Sequence, residues 1–218
     1  MLRPLPMGNE MIEVLLKGVG VGVAVAAPVG PIGLLCIKRT LADGKASGIA
    51  SGLGAASADA VYGLMVAAGL AATGILVTYA EPMEIFGGLL IAILGALSIR
   101  AFLKGAGADA KPADAKGARG LVPAFATTFA LTISNPMTIL AFVALVAGIG
   151  ASAASSPSAA YVLVLGVFAG SALWWLFLVT AASTARSKIT PSATRWLDLV
   201  SGIVLLIWGG WIAVGALA

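Results

Sequence analysis

Long apolar runs broken by short polar interruptions dominate this chain, and the runs have the length that a bilayer demands. A hydrocarbon core takes about 20 consecutive apolar residues per helix. In the first half such runs extend from Val14 to Ile37, from Ala46 to Thr78 and from Ile85 to Leu103. No charge occurs between Gly120 and Ala185, which leaves room for two more runs, Leu121 to Ile149 and Ser158 to Ala182, separated by a small-residue turn from Gly150 to Pro157. A last run starts at about Arg195 and reaches the C-terminus, so the pattern predicts an all-α integral membrane protein with six transmembrane helices. Residues 104–120 are small, charged and rich in Gly and Ala, the composition of a flexible linker outside the membrane. They divide the chain into two three-helix units, residues 1–103 and 121–218.

Composition agrees with the pattern. Hydrophobic residues make up 60% of the 218 positions and charged residues 10%, with a mean hydropathy of +1.06; a soluble domain could not bury that much apolar surface. The net charge of +4 is less informative than where the cations lie. Lys38, Arg39 and Lys45 follow the first run, Arg100, Lys104, Lys111, Lys116 and Arg119 follow the third, and Arg186, Lys188 and Arg195 follow the fifth. The connections after the second and fourth runs hold no Lys or Arg. Positive residues favour the cytoplasmic side, so both termini are expected on the opposite face of a bacterial-type inner membrane. Reading the N-terminus instead as a signal peptide, with Lys17 ahead of an apolar run and Ala24-Val25-Ala26, would destroy the first span and leave a poorer charge balance.

Interruptions inside the runs carry the chemistry. Pro28-Val29-Gly30-Pro31 falls within the first run and Asn135-Pro136 within the fourth. Proline removes a backbone donor and clashes with the preceding turn, so each site should kink or unwind its helix. Freed backbone groups in hydrocarbon must then find partners in protein or in a water-filled cavity. A structural kink is the plain reading of either break; two breaks at corresponding places in two halves favour a functional one. Asp59 lies inside the second run with no Lys or Arg within helical reach. A carboxylate near the bilayer centre costs at least about 2.5 kcal/mol on insertion scales, and it is a candidate to take up and release a proton. Tyr62, three residues on, could donate to it; alternatively the carboxylate only caps amides freed from the first helix. Ser47, Ser51 and Ala55, with Gly48, Gly52 and Ala56 beside them, form small-residue strips suited to close helix packing, with the broken first helix as the expected partner. Trp174 and Trp175 lie deeper than an interfacial belt, and Trp174 is taken as the candidate substrate contact.

Three helices per half place the second half upside down relative to the first, and breaks at matching positions of inverted repeats are the architecture of secondary transporters. Other classes fit poorly. An intramembrane protease needs two aspartates, a Ser-His pair or a zinc site, and the chain has one intramembrane carboxylate and no histidine. One cysteine, Cys36, and one such carboxylate make a poor soft-metal site, so no metal, cofactor or catalytic group is assigned. A cation or other small-solute exporter, a passive channel and a non-transporting scaffold remain alternatives.

The motifs also resemble a known family. Pro28-Val-Gly-Pro31, Ile37-Lys-Arg-Thr-Leu41, Gly44-Lys-Ala-Ser-Gly48 through Gly52-Leu-Gly-Ala55, and Ala58-Asp59 resemble the opening of the lysine exporter family, whose superfamily includes the threonine and homoserine exporters. Ser134-Asn135-Pro136 and Ser171 to Trp174 are similar to its second-half motifs, with Met137 where many relatives carry lysine. The resemblance implies export of a small metabolite, typically an amino acid, from the cytoplasm outward and driven by protons. This fits the residue-level reading, in which the substrate or proton site is drawn from Pro28, Gly30, Pro31, Asp59, Tyr62, Asn135, Pro136 and Trp174. Expected partners are the substrate, protons, the lipid bilayer and a second copy in a homodimer, with no nucleic acid.

Overall fold

The computed structural model describes residues 8–28, 30–68, 78–104, 120–135, 138–142, 157–186 and 191–217, and every regular element among them is helical. Helix α1 (Gly8–Ala26) stops just before Pro28, and α2 (Pro31–Asp43) restarts with proline in its first turn. That placement costs nothing, because a first-turn N–H has no carbonyl to meet. The pair is bent by 84° at the break. A single residue, Gly44, separates α2 from α3 (Lys45–Ala67). Its φ of 99° lies in the left-handed region open to glycine. Helices α4 (Ala80–Leu103), α5 (Leu121–Ile133), α6 (Pro157–Arg186) and α7 (Pro191–Gly215) follow, and a short helical stretch covers 138–142 beyond the end of α5.

Four helices, α3, α4, α6 and α7, contain stretches long and apolar enough to cross a membrane, or five spans result when α1 and α2 count as one. Helix α5, with 13 residues, is a shorter apolar helix. The run expected to continue from it to Ile149 lies outside the described residues beyond 142, as do most of the 104–120 linker and the Gly150 turn. One expectation is corrected here. Lys38 and Arg39 are not in a connection after the first span but inside α2, which continues to Asp43.

Small residues let the helices touch backbone to backbone. Gly18 and Gly22 of α1 meet Leu163, Gly166, Val167 and Ser171 of α6 with chain directions alike, and a methyl group on Gly18 would come within 2.9 Å of the Gly166 Cα. Helices α4 and α7 run opposed, with Gly88 against Gly209 and Ala213, and Gly95 against Gly202 and Leu206. Helix α3 packs alongside α5 at Gly54 and opposed to α6 at Gly52 and Gly63. Close approach of this kind is how helices associate where lipid removes any hydrophobic drive between them. The partner of the α3 strip therefore differs in part from the expected one, since Gly48 meets Thr40 of α2 but Gly52 meets Trp175 of α6. Outward faces carry Leu89, Ile93 and Leu97 on α4 and Ile203, Ile207 and Trp211 on α7, all exposed and apolar.

Candidate functional site

Both breaks open onto one small cavity. Val25, Ala26, Pro28, Gly30, Pro31 and Ile32 line it from the first break, Thr132, Asn135 and Thr138 from the second, Asp59 from α3 and Trp175 from α6. Its volume of about 40 Å³ is room for about three water molecules. Among the described residues Asp59 is the only charged one in its wall.

Each wall element has a local cause. Pro136 has no N–H to give the Thr132 carbonyl, and the Asn135 N–H supplies that carbonyl instead, at 3.2 Å. The Asn135 carbonyl then accepts from the N–H groups of Thr138 and Ile139, while its side-chain Nδ2 donates to Thr138 Oγ1 at 3.0 Å, so Asn135 starts the next helical stretch. Pro136 itself lies outside the described residues. On the other side Gly30 caps α2 in an extended conformation, and its carbonyl accepts from Leu34 N–H at 3.0 Å. The first-turn amides of α2 have no carbonyl ahead of them in the helix.

Asp59 is 2% exposed. Ser171 Oγ, itself fully buried in α6, donates to its Oδ2 at 2.6 Å. Tyr62 does not fill that place. Its phenol donates to the carbonyl of Ile133, at the end of α5, and its ring stacks on Phe142 with centroids 5.3 Å apart. The tyrosine thus fastens the second break to α3 and stands behind the cavity wall. Trp174 is displaced too. It is half-buried against Phe177, and its neighbour Trp175 lines the cavity. Of the residues singled out from sequence, Pro28, Gly30, Pro31, Asp59 and Asn135 are brought together.

Residues 23–215 match the family described as LysE type translocator. The chain belongs to the LysE type translocator family. A curated protein of Bacillus subtilis (strain 168) named "Putative amino acid efflux protein YcgF" is 26% identical over 204 residues, which cover 91% of this chain and 94% of that protein. No solved structure matches the chain. Family membership and the apolar helices make it a multi-pass membrane protein of a transporter family.

Two cations of this translocator have more structure around them than sequence reasoning found. The Arg39 guanidinium donates to Ser51 Oγ at 3.0 Å, to the Ala124 carbonyl at 3.0 Å, to Thr128 Oγ1 at 2.9 Å and to Thr127 Oγ1 at 2.7 Å. It joins α2 to α3 and α5 through neutral oxygens alone. About 100° round α2 from Arg39, Lys38 Nζ lies 2.9 Å from Asp198 Oδ1 of α7 and donates to Ser98 Oγ of α4 at 2.5 Å. Both ion-pair side chains are 16% exposed. Helix α2 therefore begins at the cavity and is tied at its far end to α3, α4, α5 and α7. Cys36 is a buried free thiol whose Sγ lies 3.5 Å from the Gly48 carbonyl. Among the described residues no group of three His, Cys, Asp or Glu could hold a metal ion.

Proposed function

We propose that this translocator exports an amino acid from the cytoplasm by alternating access, coupled to proton return through Asp59. The observation that carries the reading is the cavity at which two broken helices meet a buried carboxylate. In a repeat-built transporter the substrate lies at such a junction, with half-helix ends facing it. A zwitterion would set its ammonium near Asp59 and its carboxylate at a half-helix end near Gly30 or Asn135. A proton arriving at Asp59 from the far side would neutralise the carboxylate and release the ammonium. The relative's name points to the same substrate class.

Six spans in two inverted halves, residues 1–103 and 121–218 about a cytoplasmic linker, are part of this reading. Its support is in the packing. Exchanging the halves turns the α1–α6 contact into the α3–α5 contact and leaves α3–α6 and α4–α7 unchanged, and all four contacts exist. Helix directions fit alternate crossings, with α1 like α6, α3 like α5 (Gly54 at Phe125 and Phe129, Tyr62 at Ile133), and α4 opposed to α7. Membrane orientation would follow the cations, both termini lying on the non-cytoplasmic side.

Reconstituted protein tests the coupling. Export by Asp59→Asn should lose its dependence on an imposed pH gradient, and exchange should fall at least tenfold. If the variant exported at the wild-type rate with an unchanged pH dependence, Asp59 would have no coupling role.

A further inference from the structure

Two polar atoms of the cavity residues have no hydrogen-bond partner among the described residues, Trp175 Nε1 and Thr132 Oγ1. The residues are 6% and 3% exposed. A buried donor left unpaired loses its hydration with no return, so folded proteins keep such groups where a ligand or water completes them. Thr132 stands out among its neighbours. The hydroxyls of Thr40, Ser57, Ser98, Thr127, Thr128 and Ser201 all donate to the carbonyl four residues back, a partner that a helix always offers. Thr132 leaves that partner unused. The Trp175 ring is held in place from behind, because Gly52 gives it room that a larger residue would take: a methyl group there would lie 2.6 Å from the Trp175 Cβ.

An indole N–H can only donate, so whatever completes Trp175 must present an acceptor. Among the described residues the cavity wall has no basic side chain for an anion, but Trp175 and Thr132, which carry these two unpartnered groups, line it beside the first turn of α2 at Ile32. Its one acid, Asp59, is left for a cation. We infer that Trp175 and Thr132 bind the substrate's carboxylate, and that the cavity, having one acid for one ammonium, selects amino acids with uncharged side chains. This rests on the exporter reading and deepens it. The second ammonium of lysine would find no further acid among the described residues of the wall.

The test is uptake into inside-out vesicles, with a panel of labelled amino acids and, as probe, the one that wild type accumulates fastest. Neutral amino acids should accumulate ahead of lysine and arginine. Trp175→Phe, which keeps an aromatic ring but has no N–H, and Thr132→Val, which keeps the shape, should each raise KM about tenfold, the size of one hydrogen bond to a charged group, with kcat within about twofold after correction for protein in the membrane. Both should lose the wild-type preference for the free amino acid over its carboxamide as competitor. Thr132→Ser should recover the KM lost in Thr132→Val, and the lipid-facing Trp211→Phe should behave as wild type. An unchanged KM and an unchanged acid-over-amide preference in Trp175→Phe would overturn the assignment, as would fastest accumulation of lysine. A wild type that accumulates no amino acid would overturn the exporter reading itself and this proposal with it.

Discussion

Replacing Lys38 by methionine should cost this protein far more than a surface charge would. The ammonium lies 2.9 Å from Asp198 Oδ1, both side chains are 16% exposed, and Ser98 Oγ completes the cluster. Removing one member of a buried pair strands the other, at about 3–5 kcal/mol, whereas replacing both by apolar groups of similar volume is often neutral. The remaining exposure favours the lower end, so Lys38→Met and Asp198→Leu should each destabilise by about 3 kcal/mol, roughly a hundredfold in the folding equilibrium. The double variant should lie within about 1 kcal/mol of wild type. Equilibrium unfolding in mixed micelles over the four proteins gives the coupling directly. Single variants as stable as wild type, or a double variant whose loss is the sum of the singles, would refute the claim that α2 is bolted to α4 and α7 through this pair.

Further outcomes follow from the packing. Gly22→Leu should prevent recovery of monodisperse protein because its side chain would enter the α6 backbone near Val167 and Ser171, while Gly20→Leu, with open space around it, should be recovered in wild-type amounts. Arg39→Lys should not rescue Arg39→Ala, since one ammonium cannot reproduce a fork that reaches Ser51, Ala124, Thr127 and Thr128; both should lose about 2 kcal/mol or more in the same unfolding assay. Maleimide should leave Cys36 unlabelled in native micelles and label it after denaturation in SDS, because the thiol is fully buried.

Helices α3, α4, α6 and α7 were legible because a membrane span is read from run length, and the breaks because proline has one effect on a helix wherever it falls. Asp59 was legible for a similar reason, as a lone charge in an apolar run. Its partner was not. Ser171 is an ordinary residue in a charge-free run, and only the α3–α6 crossing brings it to the carboxylate. Trp174 and Trp175 sit about 100° apart on a helix that is apolar nearly all round, so nothing in the sequence says which of them faces inward. Tyr62 was misread because a neighbour three residues away on the helix looked sufficient, when the freed end of α5 offered it a carbonyl. Lys38 and Arg39 read as a cytoplasmic turn because the apolar run stops at them. The helix nevertheless continues to Asp43, since packed polar partners replace the water that those cations would otherwise need.

The central claim is that Asp59 couples amino acid export to protons. Inside-out vesicles carrying wild type or Asp59→Asn, given an imposed pH gradient and a panel of labelled amino acids, test it most directly. Accumulation of at least one amino acid by wild type, collapsed by an uncoupler and lost in Asp59→Asn, is the predicted result. Accumulation by Asp59→Asn that matches wild type and still collapses with the uncoupler would contradict it.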